Sequence, residues 1–284
     1  MNVVVAFVIG AAAVTLLRAV AGEMFAAPAL TRSNYRGRPV PTAGGVLLAL
    51  AVLAVEAGRA FLEAFGVGDD PGLTAGRNLV LLAVFGFGLL GFVDDVVAQG
   101  SDRGFRGHVG ALLRGRVTTG LLKLAGGAAI AVVLVADPQS VNAGSGSGGR
   151  LVLDALLVAL AANLGNLLDR APGRVIKASL VAYLPLALVV GTGGLGVAMA
   201  PVMGAALGLL LPDVRERLML GDTGANILGA VLGLGVVLGL GSVARTVVLV
   251  VVAALNVAAE LVSFSEVIDR VPWLRALDRL GREA

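Results

Sequence analysis

Clustered polar residues stand out at a few places in a very apolar chain. In Gly91-Phe-Val-Asp94-Asp95 two neighbouring carboxylates follow an apolar run. Hard oxygen ligands of this kind suit Mg²⁺ and phosphate transfer. The plainer alternative is an interfacial cap, since each carboxylate would cost about 2.5–3.5 kcal/mol at a bilayer centre. In Asn163-Leu-Gly-Asn166-Leu-Leu-Asp169 polar residues recur every third position, which on a helix sets them roughly on one face. That face must meet protein, water or a ligand, and packing between helices through the asparagines is the other reading.

Gly221-Asp222-Thr223-Gly224 opens another apolar run. Its glycines permit close backbone approach, a helix N-terminus there offers free N–H groups, and Asp222 can hold a metal bridging phosphate oxygens. Ordinary N-capping explains the same string. Arg36 and Arg38 precede the Pro/Gly-rich turn Pro41-Thr42-Ala-Gly-Gly45, where arginines suit phosphate or simple interfacial anchoring. Lys123, one turn into an apolar run, either snorkels to the interface or points at an anionic substrate. Glu260 lies deeper in its run and needs a partner or a polar cavity. His108, the one histidine, reads as solvated.

The elements that must position these groups follow from composition. Of 284 residues 57% are hydrophobic and only 14% charged, with 41 glycines and no cysteine. A soluble domain carries about 25% charged residues, so a cytosolic globule, a disordered chain, a coiled coil and a disulfide scaffold are excluded. The fold class is an all-α polytopic membrane protein of about nine spans, at 3–21, 44–60, 78–93, 120–136, 151–168, 178–190, 195–211, 223–240 and 243–264. The first is expected to be retained and not cleaved as a signal. One integral domain, 1–284, is expected, with cytoplasmic loops 22–43, 94–119, 169–177 and 212–222 and a tail at 265–284. Lys and Arg divide 17 to 4 between alternate loops, with Arg18 inside the first span. The positive-inside rule then puts the N-terminus outside, the C-terminus in the cytoplasm and the polar clusters on the cytoplasmic face. The net charge of +3 belongs to these loops and suggests lipid headgroups before nucleic acid. The outer loop 137–150 is a polar Gly/Ser stretch without catalytic groups.

In this order the strings resemble the polyprenyl-phosphate N-acetylhexosamine-1-phosphate transferase superfamily. Pro41-Thr-Ala-Gly-Gly45 is similar to its Pro-Thr-Met-Gly-Gly turn, Gly91-Phe-Val-Asp-Asp95 to its Asp-Asp motif, and Lys123-Leu-Ala-Gly-Gly to its Lys-Leu-x-Gly-Gln. Asn163-Leu-Gly-Asn-Leu-Leu-Asp169 is similar to Asn-Ala-Val-Asn-Leu-Thr-Asp, Leu220-Gly-Asp-Thr-Gly224 to Met-Gly-Asp-Thr-Gly, and Glu260-Leu-Val-Ser263 to Glu-Thr-Leu-Ser. The likeness runs from about Arg36 to Ser263.

The resemblance implies transfer of a sugar 1-phosphate from a UDP-amino sugar to polyprenyl phosphate in the bacterial cytoplasmic membrane. UMP is released, and cell-envelope glycan synthesis is served. It implies Mg²⁺, with Mn²⁺ as a substitute, held by Asp222 and Asn166. Asp94 and Asp95 are implied as acceptor-phosphate or general-base groups, and Asp169 and Lys123 as nucleotide or phosphate contacts. Asn163, Arg36, Arg38 and Thr42 join them as substrate contacts, and a homodimer is the implied assembly.

Departures fall on the donor side. The last-loop His-x-His run corresponds to Asp269-Arg-Val-Pro272-Trp-Leu-Arg275, which has no histidine and leaves Arg275 as a donor contact. Pro172 replaces an aspartate, Met219 takes a nucleobase-stacking position, and Gly37 stands where a lysine is expected. Two alternatives stay open: a non-catalytic relative that binds a lipid carrier as scaffold or regulator, and a secondary transporter.

Overall fold

The computed structural model describes residues 2–25, 27–34, 36–42, 44–68, 75–97, 119–136 and 148–282. Among them run nine long helices: α1 (Val3–Phe25), α2 (Gly44–Ala64), α3 (Ala75–Val97), α4 (Thr119–Ala136), α5 (Gly148–Leu168), α6 (Arg174–Val190), α7 (Gly194–Val214), α8 (Gly221–Gly239) and α9 (Ser242–Leu261). Two short ones follow, α10 (Phe264–Arg270) and α11 (Pro272–Arg279). Seven helices are long and apolar enough to cross a membrane: α1, α2, α3, α5, α7, α8 and α9. The chain is therefore an all-α polytopic membrane protein. The apolar α4 is shorter, and α6 has 17 residues with Pro185 inside it.

Three local departures from the sequence reading have physical causes. The last long helix ends at Leu261, not at 264: Val262 and Ser263 are extended, and Ser263 accepts the Glu266 N–H to cap α10. The turn before α2 contains a two-stranded antiparallel hairpin, β1 (Thr31–Ser33) and β2 (Pro39–Pro41), with Arg32 opposite Val40. Asn34 closes it by accepting the N–H groups of Arg36 and Arg38 on its side-chain oxygen. Glu260 is exposed at the end of α9; the buried polar residues of that helix are Arg245 and, one turn before Glu260, Asn256. His108 and the arginine-rich stretch 103–116 lie outside the described residues, as does most of the outer loop.

Helices α7 and α8 are largely enclosed by protein, whereas α1 and α9 keep most of their apolar surface outward. A helix apolar all round belongs at the centre of a bundle. Around α8 pack α3, α5, α2 and α6. The α3 contact is backbone to backbone: a Cβ at Gly91 would lie 2.4 Å from the Asp222 carbonyl oxygen. The end carrying the four sparse arginines is also built of ion pairs. Arg77 is buried against Glu56 (2.7 Å) and Glu63 (3.1 Å), and Arg59 also meets Glu56. Asp154 is fully buried between Arg150 and Arg245.

Gly91→Ala must push α3 from α8, and overpacking of this kind costs about 1–3 kcal/mol. A lowered thermal midpoint in detergent is expected, while Gly22→Ala, where a Cβ meets nothing within 4 Å, should leave it in place.

Candidate active site

The site grows from the joint between α3 and α8. Asp95, in the last turn of α3, turns both carboxylate oxygens onto the start of α8. Its Oδ1 accepts the Asp222 N–H (2.9 Å), and its Oδ2 accepts the Thr223 N–H (2.9 Å) and hydroxyl (2.6 Å). The unsatisfied donors of a helix N-terminus are thus capped from a different helix. Gly221, at φ 74°, makes the approach possible, because a Cβ there would stand 2.8 Å from the Asp95 Oδ2. Asp222 is left facing away from capping duty.

Opposite it, the Lys123 ammonium donates to Asp222 Oδ2 (2.7 Å) and to Asp94 Oδ2 (3.1 Å). Asn166 donates its amide to the same Asp222 oxygen at 3.4 Å, and its Oδ1 is buried with no partner among the described residues. Asp94, Lys123, Asn166 and Asp222 therefore meet from four helices. Asn163, one turn earlier, does not join them; its amide donates to Asn256 Oδ1 at 2.7 Å, tying α5 to α9.

A cavity of about 270 Å³ opens beside this group. Carboxylates of Asp95, Asp169, Asp213, Glu216 and Asp222 line it against only two arginines, Arg32 and Arg170. Asp169, in the loop after α5, is pushed well above the ordinary aspartate range by burial and by the charges of Asp213, Asp222 and Asp95. Such a cavity attracts a cation. Arg32 reaches the Asp95 and Val96 carbonyls at the end of α3 (2.6 and 3.2 Å), where the helix dipole favours a cation.

Asp213 carries no motif in the sequence yet holds the cavity wall together. Buried at the end of α7, it accepts the Gly173 N–H (2.6 Å) and the Leu220 N–H (2.8 Å), joining the loop after α5 to the segment before α8. Glu216, at a left-handed φ of 53°, accepts from Asn34 and pairs with Arg36 at 3.2 Å. The sequence reading missed both, since an isolated acid after an apolar run looks like any interfacial residue.

The remaining expected contacts divide. Met219 and Thr42 line the acidic cavity, but the Thr42 hydroxyl donates to the Leu30 carbonyl (2.9 Å). Met219 is fixed by its backbone, its N–H to Pro41 and its carbonyl to Gly44. Arg36 lines a second cavity. Arg38 and Arg275 are exposed and line neither.

The short C-terminal helices are clamped beside these cavities. Arg174 forks onto Asp278 (2.8 and 3.0 Å), and Lys177 donates to the Leu277, Asp278 and Leu280 carbonyls at the end of α11. Burial would raise the Asp278 pKa, but the Arg174 hydrogen bonds and charge, with Arg282, hold it below the ordinary range. The clamp's contribution is therefore present above the unfolded aspartate value, near 3.9, and is lost as pH falls through the lower folded one.

Among the described residues no three Asp, Glu, His or Cys side chains form a metal-holding group. Mg²⁺ typically takes one or two carboxylates and completes its shell with water and substrate phosphates. Asp222 and the orphaned Asn166 Oδ1 fit that pattern.

A polytopic helical fold with a charged centre at its helix tips is that of an integral membrane protein with a polar site at the ends of its helices. No family model matches the sequence. The phospho-N-acetylmuramoyl-pentapeptide-transferase of Desulforamulus reducens is 30% identical over 246 residues, covering 81% of this chain and 70% of the relative. Those of Geobacillus kaustophilus and Deinococcus radiodurans are 27% and 32% identical, covering 71% and 67% of this chain and 61% and 59% of their own lengths. The chain belongs to this transferase family, within the polyprenyl-phosphate N-acetylhexosamine-1-phosphate transferase superfamily.

Asp213→Ala strands two buried N–H groups, each worth about 1–3 kcal/mol. A thermal midpoint lower than that of Asp213→Asn, which keeps one acceptor oxygen, is the expected result.

Proposed function

We propose that the protein transfers a sugar 1-phosphate from a UDP-linked N-acetylhexosamine to polyprenyl phosphate with Mg²⁺ and releases UMP. The observation that carries this reading is the junction of Asp94, Lys123 and Asn166 on Asp222, which lines the acidic cavity. A phosphate oxygen of the lipid attacks the sugar-bearing phosphorus, the bond from that phosphorus to the bridging oxygen breaks, and UMP departs with the electron pair. The acceptor oxygen is already anionic, so positioning and charge neutralisation matter more than a strong base.

Bound Mg²⁺, held by Asp222 and the Asn166 Oδ1, would neutralise diphosphate charge. Lys123 fixes the Asp222 and Asp94 carboxylates and adds a positive charge beside the phosphates. Asp95, committed to the start of α8, acts as a positioning residue. An apolar cavity of about 190 Å³ among α5, α6, α8 and α9 includes Leu168, the residue before Asp169, and supports a polyprenyl tail lying beside the charged centre.

Nine spans with the site on the cytoplasmic face complete the proposal. The 17-to-4 bias of Lys and Arg supports that orientation. The chain lacks cysteine, so single cysteines report it cleanly. In intact cells Ser242→Cys should react with an impermeant maleimide, and Ser33→Cys should react only after lysis; the reverse pattern would invert the topology.

Purified protein given undecaprenyl phosphate and UDP-N-acetylmuramoyl-pentapeptide or UDP-GlcNAc should release UMP. Chelation with EDTA should stop release and added Mg²⁺ restore it. Asp222→Ala should lower the rate at least about 100-fold, the scale on which a group that stabilises transition-state charge contributes. Loss of the His-x-His run and Met219 at the stacking position favour the non-catalytic reading instead. Bound lipid carrier with no UMP from any donor would establish that reading.

A further inference from the structure

Helix α11 turns one side to the protein and leaves another bare. Asp278 is buried and Leu274 half-buried on the side that Arg174 and Lys177 clamp to α6. Trp273, Leu277 and, just past the last helical residue, Leu280 are 64%, 56% and 67% exposed. Positions four and three apart share one helical face, so the three form a continuous apolar strip. The clamp on Asp278 keeps that strip turned away from the bundle. Single exposed leucines are ordinary on any surface, but an apolar strip that includes a tryptophan marks a contact surface. At eight residues, about 12 Å, the helix is too short to cross a bilayer, so its partner must lie along it.

The helices before it point to that partner. α9 is long and apolar enough to span the membrane, and its exposed residues Val250, Val257 and Leu261 run to its end. Val262 and Val267 carry exposed apolar surface on into the segment that leads to α11. Bilayer interfaces enrich tryptophan, whose ring is apolar and whose N–H reaches water or headgroups. The arginines beside the strip complement anionic headgroups. Arg270 and Arg279 are exposed and paired with Glu266 and Asp269, whereas the exposed Arg275 pairs with no carboxylate among the described residues.

We propose that α11 lies in the interface of the leaflet at the charged end of the bundle, with Trp273, Leu277 and Leu280 seated in lipid and Arg275 on anionic headgroups. Short helices with one apolar and one basic face bind bilayers in this way. Arg279 and Arg282 also line a basic cavity of about 460 Å³ with Arg36, Arg170 and Arg174. Docking α11 on lipid holds that cavity at headgroup height, beside the acidic cavity with which it shares Arg170, Ala171 and Pro172.

The chain has one tryptophan, so its fluorescence reports α11 alone. The full chain is placed in vesicles of phosphatidylglycerol and phosphatidylcholine. Acyl chains brominated near the headgroup should cut the emission at least about twofold, since an interfacial side chain sits about 5–10 Å deep. Acrylamide on both sides of the membrane should quench it weakly. In the double variant Leu277→Glu, Leu280→Glu the bromine effect should disappear and acrylamide quenching should rise. Both leucines are exposed, and thermal unfolding checks that the variant folds. Free quenching of the wild type by acrylamide, with none by bromine, would overturn the proposal. So would bromine quenching that survives in the folded double variant, because the strip would then not set the depth. Protection from both quenchers would overturn it in favour of a protein cover. Leu280→Cys, the only cysteine in its variant, would then show by disulfide formation whether that cover is a second copy. No readout here depends on turnover, so a failed UMP assay leaves the proposal standing.

Discussion

Everything at the charged centre depends on one carboxylate holding the end of a helix it does not belong to. Asp95 satisfies the first N–H groups of α8 from the last turn of α3, and so locks the two helices in register at their tips. Because Asp94 is the preceding residue, that lock also delivers a second carboxylate toward Asp222. Two acids facing each other in a partly desolvated site repel, and the Lys123 ammonium between them removes the conflict. A capping interaction in the chain's local chemistry thereby becomes the frame of the charged centre.

Much of this was legible in the sequence because membrane insertion makes polar residues informative. Helix tips bearing Asp94, Asp95, Asn166, Asp169 and Asp222 stood out against apolar runs, and all five lie at or beside one cavity. What spacing left open was the division of labour. Asp94 and Asp95 are chemically identical neighbours, and only the approach of α8 commits one to capping. Asn163 and Asn166 share a helical face, but one turn apart they meet different helices, α9 for the first and α8 for the second. Asp213 and the hairpin at Thr31–Pro41 depend on partners far along the chain, so no local pattern announced them.

The two ends of the bundle treat arginine differently. Arg59, Arg77, Arg150 and Arg245 are each matched to a carboxylate on a neighbouring turn or helix, which cancels charge where a low-dielectric surround makes isolated charge costly. At the other end Arg174, Arg279 and Arg282 also meet carboxylates but line open space, and Arg170 beside them pairs with none among the described residues. A matched arginine holds helices together. An unmatched one at a cavity carries charge that only a ligand or salt can answer.

That distinction bears on the stretch 269–275, which has no histidine where the resemblance places a His-x-His run. A histidine changes charge near neutral pH, and its two nitrogens act singly; an arginine keeps its charge and presents a planar fork. Replacing one by the other exchanges a group suited to proton handling for a group suited to fixed anion binding. Here the arginines are tied to architecture: Arg174 anchors α11 through Asp278, Lys177 holds the last carbonyls of that helix, and Arg282 donates to the Pro172 carbonyl in the loop after α5. The groups that dock the C-terminal helices also shape the basic cavity. Its positive charge is therefore built into the packing of the chain's end and does not depend on the protonation state of a single side chain.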